Sequence, residues 1–153
     1  MALRHPLNIR LEFTSAFEML DVLQSVSDHF CKEVGFDDDA VHWVSVAVRE
    51  SVANAIKHGN RNDSRKTVHV EFAASFADTP ELSIRVRDEG DGFDPEEVAD
   101  PLAPENLLKG SGRGIFLIRS FMDDVVLQRA PEGGMEMRMT KRVQPAAAPD
   151  ANG

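Results

Sequence analysis

The chain has 153 residues, 42% of them hydrophobic and 28% charged, and its 17 Lys+Arg against 26 Asp+Glu leave a formal net charge of −9. That composition excludes disorder, collagen and coiled coil, and the acidic balance argues against a duplex nucleic-acid binder, which needs a basic face. The one cysteine, Cys31, excludes an internal disulfide and suits a reducing cytoplasm, and no run approaches the length of a membrane span.

The length fits one domain, expected over residues 1–143, that buries roughly 70% of its unfolded surface. An Ala/Pro-rich polar stretch, 144–153, reads as a disordered tail. No basic-then-apolar signal segment opens the chain. Leu7, Ile9, Leu11 and Phe13 alternate with Asn8, Arg10 and Glu12, which predicts a strand with one apolar face. Ser15 and Glu18 form a capping-box pattern, so a helix is expected to about Val34, stopped by Gly35. Asp37 to Asp39 can cap a second helix, with Val41, Val44, Val48, Val52, Ala55 and Ile56 at helical spacing, ending at Gly59.

A polar loop, 60–66, precedes two alternating strands, one around Val68, Val70 and Phe72 and one around Leu82, Ile84 and Val86. An irregular, charged, Pro/Gly-bearing region is expected from Glu89 to about Gly112. A short helix, Gly114 to Met122, is apolar almost all round and should be buried. Asp123–Arg129 and Met135–Arg142 then predict a hairpin across Pro131–Gly134. Five strands with one polar face each do not suit a doubly wound parallel sheet. They predict a two-layer α/β sandwich, a mixed, mostly antiparallel sheet with helices on one face.

Three segments carry chemistry. Glu50, Asn54 and His58 recur every four residues and draw a polar stripe along the second helix. Alone, such a stripe is more often a solvated face. Asp88-Glu89-Gly90-Asp91-Gly92 follows the third strand. Asp88 shares the parity of Leu82, Ile84 and Val86, so its carboxylate should point to the apolar side, where it needs a donor. Alone, this is equally an Asp/Gly turn. Lys109-Gly110-Ser111-Gly112-Arg113-Gly114 leads into the short helix, and a glycine-rich loop at a helix N-terminus offers amides to phosphate. Alone, it reads as a flexible loop closed by a helix cap. It is neither GxxxxGK[ST] nor GxGxxG. His58 reads as a helix C-terminal histidine favoured by the dipole, and Lys57, Arg61, Arg65 and Lys66 as a solvated loop. The histidines form no HxH or HExxH pair, so no zinc site is expected.

In order, these boxes resemble the ATP-binding fold of the GHKL (Bergerat) superfamily from about Leu7 to Val143. The wording Ala47–Asn60, Asp88–Pro95, Gly112–Asp123 and Met139-Thr140-Lys141 is similar to the RsbW/SpoIIAB-type anti-sigma-factor serine kinases. The resemblance implies ATP/ADP and Mg²⁺ as ligands. It implies Asn54 as the metal holder, Glu50 as the base for an attacking hydroxyl, and Asp88 as acceptor from the adenine amino group. Gly90 and Gly92 would lie along the base. Gly110, Gly112 and Gly114 would wrap the phosphates, with Lys109 and Arg113 neutralising charge. Residues from about Asp94 to Lys109 would form a lid. Superfamily members commonly carry Thr or Ser in the final hairpin where this chain has Met135 and Glu136. The implied function is a cytoplasmic protein serine/threonine kinase and anti-sigma factor. It would phosphorylate a STAS-domain anti-anti-sigma protein, bind a sigma factor and form a homodimer. The alternative is a nucleotide-dependent partner-binding switch without kinase activity, which would not need a base at Glu50. A detached histidine-kinase catalytic domain ranks third.

Overall fold

A computed structural model describes residues 4–91 and 110–144. The elements are β1 (Leu7–Thr14), α1 (Leu20–Val34), α2 (Asp38–Asn54), β2 (Thr67–Ser75), β3 (Glu81–Arg87), α3 (Gly110–Phe121), β4 (Asp124–Arg129) and β5 (Met135–Arg142). The strands lie in the order β1-β2-β3-β5-β4, and each neighbouring pair is antiparallel. The sheet expected to be mixed is thus antiparallel at every described pairing. β5 inserts between β3 and β4, which run parallel to each other and so never pair.

Alternation does the sorting. Val68, Val70, Phe72 and Ala74 of β2, Leu82, Ile84 and Val86 of β3, and Met137 and Met139 of β5 are buried on one face. Leu23, Phe30 and Val34 of α1 and Val44, Val48 and Val52 of α2 cover them. Phe30 stacks on Phe72 with ring centroids 5.6 Å apart. Asp37 caps α2 by accepting from Ala40 N at 2.8 Å.

Two expectations change. The Ser15–Glu18 capping box does not form. A 3₁₀ turn, Phe17–Met19, enters α1, and neither helix start has a side-chain cap. Ser15 is instead drawn into tertiary bonding: its hydroxyl donates to Lys66 O at 2.9 Å and accepts from Asn60 Nδ2 at 2.9 Å. The second change concerns α3, which is not buried all round. Ile118 and Met122 enter the core, but Phe116 and Leu117 are 49% and 37% exposed. The helix packs on the sheet and α2 from one side only. There Trp43 of α2 stacks on Phe121, with centroids 3.8 Å apart and planes 12° from parallel.

Asn60 ties the layers together. It is fully buried. Its Nδ2 also donates to Thr67 O at 3.0 Å, and its Oδ1 accepts from Glu89 N at 2.7 Å. Truncation removes three hydrogen bonds made by a fully buried amide. Asn60→Ala is expected to lower stability by about 2–3 kcal/mol. Urea unfolding with an unchanged slope and an earlier midpoint is the check.

Candidate functional site

Between α2, the end of β3, the start of α3 and the β4–β5 hairpin lies a cavity of about 430 Å³. That is the size range of small-ligand pockets. Its walls divide by chemistry. Val86, Ile115, Leu127, Met135 and Met137 supply apolar surface, while Asn54, His58, Arg61, Asp88 and Asp91 supply polar groups.

Asp88 is 6% exposed and faces the helix layer, as its parity requires. Its Oδ1 accepts from Gly90 N at 2.9 Å and from Met135 N at 3.1 Å. Its own amide donates to Met135 O at 3.1 Å. Two backbone donors therefore fix one carboxylate oxygen. Among the described residues no donor reaches Oδ2, which lies against Gly59. A Cβ on Gly59 would overlap that carboxylate, so only glycine permits the approach. Gly59→Ala is expected to displace Asp88 and, if the site takes the ATP that the resemblance implies, to weaken its binding roughly tenfold or more, read by calorimetric titration.

Local backbone explains this proximity. The helical stripe does not run evenly to Gly59. After Asn54 the chain widens into a π-helical turn, Ala55–Gly59. Such turns are uncommon and often sit at functional sites. This one carries Ala55, His58 and Gly59 along the cavity wall. His58, read as a helix-end histidine, also borders the cavity, and so does Arg61, which is exposed on its loop as expected.

The turn after β3 is held from behind. Glu89 accepts from Thr67 N at 2.7 Å and meets His69 Nε2 at 3.0 Å. The other ring nitrogen of His69 lies 3.3 Å from Glu12. The His69 hydrogen bond, then the Thr67 amide, hold the Glu89 carboxyl below the usual carboxylate range. The support is complete above the unfolded carboxylate pKa and is lost as pH falls through the lowered folded value.

Glu50 and Asn54 lie one turn apart on α2 and meet at Gly114. A Cβ there would come within 2.7 Å of Glu50 Oε2 and 3.2 Å of Asn54 Nδ2. Asn54 Nδ2 is buried without a hydrogen-bond partner. Among the described residues no cation pairs with Glu50. The first and third boxes thus touch directly. Gly110, Gly112 and Arg113 belong by backbone to the first turn of α3, which starts at Gly110 rather than Gly114. The N–H groups of that first turn have no intrahelical acceptor, and the helix starts there despite the low helix propensity of glycine. Gly90 packs on the backbone of Gly59. Gly92, Lys109 and the segment expected as a lid lie outside the described residues, as does the tail beyond Gln144.

The final hairpin contributes differently from Thr or Ser. Met135 lines the cavity and offers its backbone to Asp88. Glu136 points to the opposite sheet face, where it is buried at 1% exposure and paired with Arg85, with Arg138 at 3.3 Å. Among the described residues no cluster of three or more His, Cys, Asp or Glu forms a metal cage, and no helix is long and apolar enough to cross a membrane.

Comparison with known proteins matches residues 13–141 to the histidine kinase-like ATPase domain. The chain is 37% identical to the anti-sigma F factor of Oceanobacillus iheyensis over 109 residues, covering 69% of this chain and 71% of that protein. It is 27% identical to the serine-protein kinase RsbW of Staphylococcus aureus over 142 residues, covering 89% of this chain and 87% of that protein.

Proposed function

The chain belongs to the histidine kinase-like ATPase domain family, in its anti-sigma-factor kinase branch, and from that premise we propose how its residues share the work. It is an ATP-dependent protein serine/threonine kinase and anti-sigma factor. The observation that carries the site assignment is convergence: Asn54 and Asp88 wall one cavity, and Glu50 joins Asn54 beneath Gly114 at its edge.

Asp88 Oδ2 accepts from the adenine amino group, because Oδ1 is already taken by two backbone amides. Leu127, Met135 and Met137 give the base an apolar bed. Gly90 and Gly92 let backbone approach the base. The phosphates extend toward Gly110, Gly112 and Gly114, with Lys109 and Arg113 as counter-charges and the segment from about Asp94 as the lid.

The residues suit a divalent cation held mainly by phosphate and water oxygens. Asn54 has a buried, unpartnered amide end, its two ends exchange by rotation of the terminal torsion, and no protein cage competes among the described residues. Asn54 would hold Mg²⁺, whose charge screens the phosphates when bound. Glu50 orients and deprotonates the incoming serine or threonine hydroxyl.

The substrate is a STAS-domain anti-anti-sigma protein. The second partner is a sigma factor, held when that antagonist is phosphorylated. The working form is a homodimer in the cytoplasm, over a single domain from 1 to 143. The names of the relatives support the sigma-factor and kinase parts. Labelled ATP is mixed with the purified chain and candidate STAS proteins. Transfer to a serine or threonine of one of them is the expected result. If ATP binds and nothing is labelled, the chain is a nucleotide-dependent switch instead.

A further inference from the structure

Arg61 stands out on three counts. It borders the cavity that holds Asp88 and Gly59. Its backbone is left-handed, with φ 54°, and so is that of Asn62, with φ 59°. A side chain as long as arginine gains nothing locally from that conformation, which costs free energy and persists only where surroundings impose it. Finally, among the described residues no carboxylate pairs with its guanidinium. Its loop neighbour Arg65 is satisfied by Asp63 at 3.1 Å.

The surroundings impose the conformation from both sides. Asn60 N donates to Ala55 O at 2.8 Å, closing the π turn, and Asn62 N donates to Ile56 O at 2.8 Å. Between them the Asn60 side chain is bound to Glu89 N. Arg61 is therefore held beside the turn that presents Asp88. That is the base end of the cavity. The phosphate end is marked by Glu50, Asn54 and Gly114.

We propose that Arg61 is a further nucleotide-contacting residue, laying its guanidinium plane against the purine. The group is planar, always charged and weakly hydrated, so it stacks plane on plane with an aromatic ring, which an ammonium cannot do. The same cavity is lined by Leu127, Met135 and Met137, which would give the base an apolar surface beside the cation. This rests on the nucleotide reading above, and it adds a recognition element that Asp88 does not supply: affinity for the aromatic ring itself.

The test compares adenosine, ADP and ATP by calorimetric titration on wild type, Arg61→Gln, Arg61→Lys and Arg61→Gly. A contact at the base weakens all three ligands by the same factor, about two- to tenfold. Lysine fails to restore affinity, because the plane is lost. Glycine relieves the left-handed backbone, so its melting temperature is unchanged or raised while affinity still falls. A loss that grows from adenosine through ADP to ATP overturns the base assignment and places the cation on the phosphates. Unchanged affinity in every variant overturns any contact. If wild type binds none of the three, the nucleotide reading itself fails, together with this one.

Discussion

Glu50→Ala is expected to abolish phosphate transfer to protein while leaving ATP binding nearly intact. The carboxylate sits on the same face of α2 as Asn54, one turn nearer the N-terminus, and both press on Gly114. It is half-buried and without a cationic partner among the described residues, which leaves its lone pairs free for a hydroxyl proton. A positioned general base contributes typically ~10²–10⁴-fold in rate, so loss of Glu50 removes that factor from the rate of transfer. Asn54→Ala should behave differently and weaken binding and transfer together, because on the proposed assignment the metal and phosphates lose their holder. Single-turnover transfer from labelled ATP, beside a nucleotide titration of each variant, separates the two. Transfer by Glu50→Ala at the wild-type rate would remove Glu50 from the mechanism.

Asp88→Asn is expected to lower ATP affinity roughly tenfold or more, with little change in fold. The structure makes the argument sharper than a lost charge. Oδ1 accepts from both Gly90 N and Met135 N. An asparagine must keep its oxygen there, or two buried amides lose their acceptor. Its NH₂ is then forced into the place of Oδ2, donor facing the donor of the adenine amino group. A lost charge-assisted hydrogen bond is worth about 1.5–3 kcal/mol. Equal affinity for ATP in the two proteins, measured by calorimetry, would dismiss Asp88 as the adenine reader.

Much of this was readable along the chain, for a physical reason. Period-two alternation marked β1, β2 and β3, since one sheet face is apolar and the other polar, and the Pro131–Gly134 turn marked the hairpin of β4 and β5. The parity of Asp88 with Val86 placed its carboxylate on the buried side. The four-residue spacing of Glu50 and Asn54 placed both on one helical face. What stayed hidden depends on tertiary structure. Ser15 is a good cap by pattern, but Asn60 and Lys66 O compete for it across a large sequence separation. The π turn at Ala55–Gly59 has no composition of its own, so His58 and Arg61 could not be turned toward the cavity in advance. Asn60 looks like any polar residue after a glycine. Only the approach of β3 to the loop makes it a buried junction. The exposure of Phe116 and Leu117 was hidden for the opposite reason: an apolar helix gives no sign of which side will lack a neighbour.

The stack of Trp43 on Phe121 gives the molecule an internal optical gauge. Trp43 is the only indole in the sequence and there is no tyrosine, so ultraviolet-excited emission arises almost wholly from one site. One ring belongs to α2, which carries Glu50 and Asn54, and the other to α3, which begins with the glycine-rich segment. At 3.8 Å between centroids, a sliding of α3 by a fraction of a ring width changes the overlap and the hydration of the indole. Emission intensity and wavelength thus record the relative position of the two helices during turnover, with no label attached.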